Sequence, residues 1–204
     1  MNLNNLQAFA HSLIENNRAE CDFVEYKKSY KQEDKILKTI CAYANNFMNR
    51  DYGYLFIGIE EQDDKASGVK AIPIRPITGL LEGELEVAEN HIKSLFKYIK
   101  PTPTCHFISD QIDGKWYFIV VVEPSNRLTE VTDKGAHKTK LSKGGRYIRV
   151  NRDTVLPNTR QEYELLRKFA GYSFCDDFHA TATLDDLNYE YMKEYLVKTN
   201  AAQD

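Results

Sequence analysis

Long apolar runs and paired cysteines are both missing from this 204-residue sequence. No apolar stretch approaches the roughly 20 residues that a transmembrane helix needs. Residues 1–17 do not join a basic start to an apolar core, so we expect neither a membrane span nor a secretory signal. The four cysteines form no C-x-x-C pair, which argues against a disulfide framework and favours a reducing, cytoplasmic compartment.

Nucleotide-binding and nucleophile patterns are also absent. Gly144-Gly145 is not followed by the lysine and hydroxyl residue of a P-loop, and the five histidines are scattered without a Ser/His/Asp or Cys/His set. We therefore expect no cofactor in this domain, apart from Mg²⁺ or Mn²⁺ if its acids form a nuclease site. The formal net charge is −3, so a nucleic-acid-binding function would have to come from a local basic patch.

The pattern of apolar residues along the chain predicts an α/β (α+β) domain, with a mixed central sheet flanked by helices and a C-terminal connector helix. The run Tyr54–Ile59 is apolar on both faces, which is typical of a strand that is covered on both sides. Asp113-Gly114 lies between two strand-like runs and predicts a type I′ hairpin. Other expected strands are 20–27 and a hairpin of 139–141 with 147–150. The expected helices cover residues 3–15, 33–44 and 85–99, a segment that starts at Thr159, and a last segment that reaches about Lys198.

Acidic residues form the first candidate site. Glu20 and Glu25 belong to the first predicted strand, and Glu60 and Glu61 follow the buried strand. If those strands are neighbours, the carboxylates could converge and hold a divalent ion that activates water. Glu20 and Glu25 are an odd number of residues apart, so convergence requires Glu20 to lie before the strand or at a bulge. The alternative is that Glu25 pairs with a lysine and that the acids at 60–64 form a solvated turn.

Basic residues form the second candidate site. Between Lys134 and Arg152 the sequence has seven Lys or Arg residues and no acid, which is a local excess of positive charge on an acidic chain. Tyr147 and Arg149 are two residues apart and therefore share a face of a strand. Such a ribbon suits phosphate contact and base stacking, although a solvated hairpin at a sheet edge would have the same composition. The candidate nucleic-acid contacts are Lys138, Lys140, Lys143, Arg146, Tyr147 and Arg149.

Several segments together resemble the Schlafen AlbA-type domain, also called the divergent Alba domain. The resemblance spans about residues 18 to 170 and is carried by Glu20-x-x-x-x-Glu25-Tyr-Lys27, Ile40-Cys-Ala-Tyr-Ala-Asn45, Gly53-Tyr-Leu-Phe-Ile-Gly58-Ile-Glu60, Gly68, Pro101-x-Pro103 and Gly144-Gly-Arg-Tyr-Ile-Arg-Val150. It implies three parts: an N-terminal helix at 1–17, the nucleic-acid-binding domain at 18–171, and a linker with a connector helix at 172–204. In bacterial members, such a connector leads to an ATP-binding, ATPase-like region.

The resemblance implies a DNA-binding domain of a bacterial transcriptional regulator. It also offers a second function, because a similar fold in the Schlafen branch cuts structured RNA with metal-bound acids. Glu20, Glu25 and Glu60 (or Glu61) fall on those catalytic and metal-binding positions, with Glu where the third acid is typically Asp. The loop 46–52 also departs from the short glycine turn of the family. A structural dimerisation module is a third expectation, and the expected partners are DNA or RNA, a second copy of the chain and the ATPase-like region.

Overall fold

A computed structural model describes residues 2–132, 144–170 and 189–198. The chain divides into two units, Met1–Ala170 and Gly171–Asp204. The helices are α1 (Leu3–Glu15), α2 (Glu33–Asn45), α3 (Glu82–Leu95), α4 (Thr159–Phe169) and α5 (Tyr189–Lys198). The strands are β1 (Val24–Lys27), β2 (Gly53–Ile57), β3 (Glu61–Gln62), β4 (Ile72–Pro73), β5 (Ile99–Lys100), β6 (Cys105–Ile112), β7 (Lys115–Val122), β8 (Glu130–Val131), β9 (Ile148–Val150) and β10 (Asp153–Val155).

The main sheet has four strands in the order β1-β2-β7-β6. Strands β1 and β2 are parallel, whereas β2 and β7, and β7 and β6, are antiparallel. This mixed sheet with helices confirms the predicted α+β class. The parallel pair needs a crossover, which α2 provides, because two parallel strands cannot be joined by a tight turn.

Side chains of β2 alternate between two hydrophobic cores. Tyr54 and Phe56 lie in a core with α1, whereas Leu55 and Ile57 lie in a second core with α2 and α3. Both faces of the strand are therefore covered, as its continuous apolar run predicted. Strand β7 has the same arrangement and contributes to both cores.

The hairpin predicted at Asp113-Gly114 is confirmed, with β6 before the turn and β7 after it. Its two turn residues, Asp113 and Gly114, have φ values of 56° and 70°. Both values are positive, as a type I′ turn requires, and this turn matches the twist of the strands that it joins. The Asp113 carboxylate also accepts a hydrogen bond from Arg75 Nε at 2.9 Å, which ties the turn to the loop after β4.

The later basic hairpin differs from the prediction. Strand β9 pairs with β10, a segment for which the sequence analysis predicted no strand. Gly145 instead forms an isolated bridge with Val131 at the end of β8. The other predicted strand, 139–141, lies outside the described residues.

Helix α5 belongs to the second unit and lies within the segment that was expected to form the connector. Its described side chains, which run from Tyr189 to Glu194, are exposed. Among the helices of the three described ranges, none has the length and apolar content needed to cross a membrane.

Candidate functional site

Two glutamates of the first predicted motif lie close together around one lysine. Glu20 lies before β1, so its odd spacing from Glu25 does not separate the two side chains. Glu20 Oε1 accepts a hydrogen bond from the backbone N–H of Tyr26 at 2.8 Å. Lys27 Nζ is 3.9 Å from Glu20 Oε1 and forms a closer ion pair with Glu25 Oε1. The structure therefore brings Glu20 and Glu25 together, with the ammonium group of Lys27 in reach of both.

Arg149 of β9 also belongs to this cluster, although it is far from the glutamates in the sequence. Its guanidinium forms an ion pair with Glu25 Oε2 through Nη2. Nε donates to the backbone carbonyl of Cys21 at 3.0 Å, and Nη1 donates to Thr154 Oγ1 at 2.9 Å. The guanidinium carbon also lies 5.9 Å from the centre of the Tyr43 ring. Arg149 thus connects β9 and β10 with the start of β1 and with α2.

Arg149 and Tyr147 are buried, so the predicted binding ribbon is wrong at these two positions. Arg149 is only 3% exposed and Tyr147 only 4%. Their even spacing does put them on one face of the chain, but that face packs against α2. Lys38 of α2 lies above the Tyr147 ring, with Nζ 5.3 Å from the ring centre. Neither side chain is placed to contact a phosphate or a base from solvent.

Arg146 is the remaining predicted contact for which the structure gives a position. Its side chain is about a third exposed, with Nη1 3.3 Å from Glu162 Oε1 and Nε 3.8 Å from Glu130 Oε2. Its charge is therefore shared with two acids. The other three predicted contacts lie outside the described residues: Lys138, Lys140 and Lys143.

Glu60 does not join the other two glutamates. Its Oε2 forms an ion pair with Lys28 Nζ at 2.8 Å, and both side chains are about half exposed. Glu60 therefore does not complete the expected set of three metal-binding carboxylates, and Glu61, the alternative third acid, is exposed in β3. The described ranges contain no group of three His, Cys, Asp or Glu residues that could hold a metal ion. Glu25 already faces two cations, Lys27 and Arg149, one at each carboxylate oxygen. These residues do not fit a Mg²⁺ or Mn²⁺ site.

A comparison with protein families agrees with this architecture. The family described as Schlafen, AlbA_2 matches residues 20–158, which is more than half of the chain. The chain belongs to this family. The match begins at Glu20 of the glutamate cluster and ends at Asn158, directly before α4.

Comparisons with individual proteins add no functional assignment. No curated protein matches the chain. Similar solved structures include the DIP2311 protein from Corynebacterium diphtheriae, with 17% identity and a TM-score of 0.49. They also include the N-terminal domain of a RecG-related protein from Nitrosomonas europaea, with 20% identity and a TM-score of 0.46. The match with the Corynebacterium protein covers 94% of this chain but only 37% of that protein. The match with the Nitrosomonas domain covers 74% of this chain and 92% of that domain.

A buried asparagine of the Schlafen AlbA domain holds the end of α2 against the later strands. Asn45 Nδ2 donates to the carbonyls of Thr129 at 2.9 Å and Tyr147 at 2.8 Å, and Asn45 Oδ1 accepts from the N–H of Thr129 at 2.8 Å. Two asparagines, Asn45 and Asn46, stand where α2 ends, and asparagine can take a helix-ending role because it tolerates a left-handed backbone. Asn46 does take that role, with a left-handed φ of 45° at the C-cap.

Glu25 pairs with a lysine, Lys27, as the alternative drawn from the sequence expected, whereas its second partner, Arg149, was not expected. Lys27 is two residues after Glu25, so the two side chains share a face of β1, and this spacing was a usable signal. Arg149 is more than 120 residues further along the chain, so no local pattern connects it with Glu25. A charged pair of this sequence separation becomes visible only in the folded domain.

The pKa of Glu20 is raised to about 8 by burial and by the neighbouring negative charge of Glu25. The hydrogen bond from Tyr26 and the charge of Lys27 oppose this shift but do not cancel it. At neutral pH, the Glu20 carboxyl therefore favours its protonated form. A divalent ion could bind this carboxyl only with release of that proton.

Substituting Glu20→Gln is expected to flatten the dependence of stability on pH. The ordinary pKa of this glutamate is 4.5, so between pH 4.5 and about 8 the folded protein keeps a proton that the unfolded chain releases. The free energy of unfolding should therefore fall as the pH rises through this window and should level off above it. Glutamine keeps the acceptor for the Tyr26 N–H but does not titrate. Urea unfolding of both proteins across this range measures the difference.

Glu60→Gln is the control for this prediction, because the Glu60 side chain is about half exposed and its ion pair with Lys28 lies at the surface. Its unfolding free energy should follow the same pH curve as the wild type. Parallel curves for Glu20→Gln and the wild type would mean that Glu20 is ionised in the folded protein, and would contradict the raised pKa.

Proposed function

We propose that this Schlafen AlbA domain binds nucleic acid through the basic segment that runs from Lys134 to Arg152. The observation that carries the proposal is the charge distribution of the segment, with seven Lys or Arg residues and no acid in a chain of net charge −3. Lysines that neutralise phosphates release bound counterions, and this release drives association at low salt. Family membership supports the same class of function.

Within the segment, the three lysines at positions 138, 140 and 143 are the proposed phosphate contacts. Arg146 contributes less, because Glu162 and Glu130 share its charge. Arg149 and Tyr147 support the fold of the segment instead of contacting the ligand, because both are buried. The proposal therefore keeps four of the six residues predicted from the sequence.

We further propose DNA as the ligand and a bacterial transcriptional regulator as the parent protein, with an ATPase-like region after the connector. The resemblance of the sequence motifs supports this finer assignment. Mg²⁺-dependent or Mn²⁺-dependent ribonuclease activity is not proposed, because the Glu20, Glu25 and Glu60 side chains do not form a metal-ligand set.

Changing Lys138, Lys140 and Lys143 together to Glu is expected to abolish most binding at low salt. Each lost phosphate contact should also reduce the slope of log affinity against log salt by about 0.9 for duplex DNA. Fluorescence anisotropy with labelled duplex DNA and single strands over a salt series measures both quantities. The matched control is the triple change of Lys65, Lys70 and Lys100 to Glu, which alters the net charge by the same amount on exposed residues elsewhere.

Equal affinities and equal salt slopes for the two triple variants would contradict a contact role for the basic segment. A wild-type chain that binds no nucleic acid even at low salt would contradict the proposed function as a whole. A dimer in light scattering under those conditions would then favour a structural module. Denaturing gels run with Mn²⁺ or a chelator show in the same samples whether the nucleic acid stays intact.

A further inference from the structure

Aromatic rings from three segments of the domain line an open cleft, to which Pro124 after β7 also contributes. Phe9 comes from α1, Phe23 directly precedes β1, and Tyr52 and Tyr54 lie at the start of β2. The cleft has a volume of about 680 Å³. This volume is within the roughly 300–1,000 Å³ range of small-molecule sites. No motif in the sequence pointed to it, because its residues are far apart along the chain.

One ring lies at the base of the cleft, and two others line its sides with part of each ring exposed to solvent. Tyr54 is buried and forms the floor, with its ring centre 5.3 Å from that of Phe9 and 6.5 Å from that of Tyr52. Phe9 is 45% exposed and Tyr52 is half-buried, so both keep ring surface that faces solvent. Exposed aromatic surface next to a buried ring offers a flat ligand a place to stack.

Two arginines lie beside the cleft. The guanidinium carbons of Arg18 and Arg50 lie 5.5 Å and 5.7 Å from the centre of the Phe23 ring. Asp51 also lines the cleft, and Asp22 pairs with Arg50. A guanidinium group suits both phosphate contact and stacking on a ring, so this border fits a ligand that has phosphates and flat bases.

The basic segment ends close to this cleft. Arg149 Nε donates to the carbonyl of Cys21, two residues before Phe23. Strand β9, in which the basic segment ends, is thus bonded to the chain that forms one wall.

We propose that this cleft binds unpaired bases of a single-stranded nucleic acid, an inference that rests on the proposed nucleic-acid-binding function. A base within a duplex is covered on both faces by its neighbours, whereas an unpaired base can leave the stack and lie against an aromatic side chain. Every base has a π-face, so such stacking tolerates many sequences. The cleft therefore selects single strands over duplexes, while the basic segment supplies affinity for phosphates.

Binding of the full 204-residue chain to four labelled probes tests this proposal. The probes are single-stranded RNA, single-stranded DNA, a duplex and an abasic strand, each of about 12 nucleotides to match the range of known single-strand site sizes. The abasic strand has the same phosphates but no bases. The variant is Tyr52→Leu, which keeps an apolar side chain and removes the ring. Tyr163→Leu is the control, since Tyr163 is 63% exposed on α4.

We expect Tyr52→Leu to bind the two base-bearing single strands roughly 5-fold to 100-fold more weakly than the wild type, which corresponds to the loss of one base–aromatic stack. Affinity for the abasic strand and the salt slope should stay unchanged, because no phosphate contact is removed. Tyr52→Phe should restore wild-type affinity. Phe9→Ala should weaken binding in the same way, with a melting curve to confirm that α1 remains packed.

Three outcomes distinguish failure of the cleft from failure of the proposed function. Equal wild-type affinity for base-bearing and abasic strands would overturn the cleft proposal alone. Equal effects of Tyr52→Leu and Tyr163→Leu would also overturn it, even if the lysine variant confirms phosphate binding. No binding of any probe at low salt would overturn both proposals.

Discussion

Replacing Arg149 by methionine is expected to lower the free energy of unfolding by about 3–5 kcal/mol, the range typical of breaking a buried ion pair. The guanidinium is almost fully buried, and it pairs with Glu25 and donates to Cys21 and Thr154. Methionine has a similar length but cannot donate a hydrogen bond. The change would leave Glu25 with one cation instead of two and would leave buried oxygen atoms without their donor. Urea unfolding at neutral pH, followed by circular dichroism, measures the loss.

Arg146→Met is the matched control for Arg149→Met, because it removes the same charge three residues earlier. Its ion pairs with Glu162 and Glu130 are partly exposed, and such surface pairs contribute about 0–1 kcal/mol. If Arg149→Met is as stable as Arg146→Met but has lost affinity for nucleic acid, Arg149 is a ligand contact and its structural role is contradicted. A double-mutant cycle of Arg149→Met with Glu25→Gln isolates the coupling between the two side chains.

Changing Asn45 to Asp is the second substitution with a large expected effect, at about 3 kcal/mol or more. The asparagine amide donates to two backbone carbonyls and is fully buried. A carboxylate of the same shape would place acceptor oxygens against the carbonyl oxygens of Thr129 and Tyr147, without the hydrogens that now join them. Because 1 kcal/mol shifts the melting temperature of a chain of this size by about 2–4 °C, thermal unfolding should show a decrease of roughly 10 °C.

Asn46→Asp provides the isosteric control one residue further along. Asn46 also makes two hydrogen bonds, to the N–H and the carbonyl of Arg50, but at an exposed position where water can replace them. Aspartate tolerates the left-handed backbone of this C-cap, as asparagine does. We expect a loss of about 1 kcal/mol or less. Equal melting temperatures for the two variants would show that the Asn45 amide does not hold α2 against β8 and β9.

The central strands and the hairpin were predictable because their signals are local. A continuous apolar run such as Tyr54–Ile57 requires cover on both faces wherever the strand lies, and Asp113-Gly114 favours one turn geometry regardless of the rest of the fold. Whether a pair of side chains points to solvent or to the interior cannot be predicted from the neighbouring sequence. Spacing showed that Tyr147 and Arg149 share a face, but only the packing of α2 decides that this face points inward.

The candidate sites also depended on long-range packing that the neighbouring sequence does not reveal. Glu20 and Glu25 converge because the chain bends before Val24, which spacing alone could allow but not establish. Glu60 lies three residues beyond the end of β2, and there its carboxylate reaches Lys28 instead of Glu25. The aromatic rings of the cleft come from α1, from the residue before β1 and from the start of β2. These residues share no sequence pattern that could have indicated a site.

The glutamate cluster also has a consequence for how the sheet ends. Beside β2, the carbonyl of Phe23 accepts from Tyr54 and that of Lys27 accepts from Gly58 directly after the strand, so the backbone polar groups of Val24 and Tyr26 point away from the sheet. Glu20 accepts from the outward N–H of Tyr26, Lys27 Nζ donates to its carbonyl, and the Val24 carbonyl accepts from Arg149 Nη2 at 3.4 Å. Exposed polar groups of an outer strand are a template on which another chain can add a strand and aggregate. The charged cluster occupies three of these outward groups along β1 and so opposes growth of the sheet in that direction.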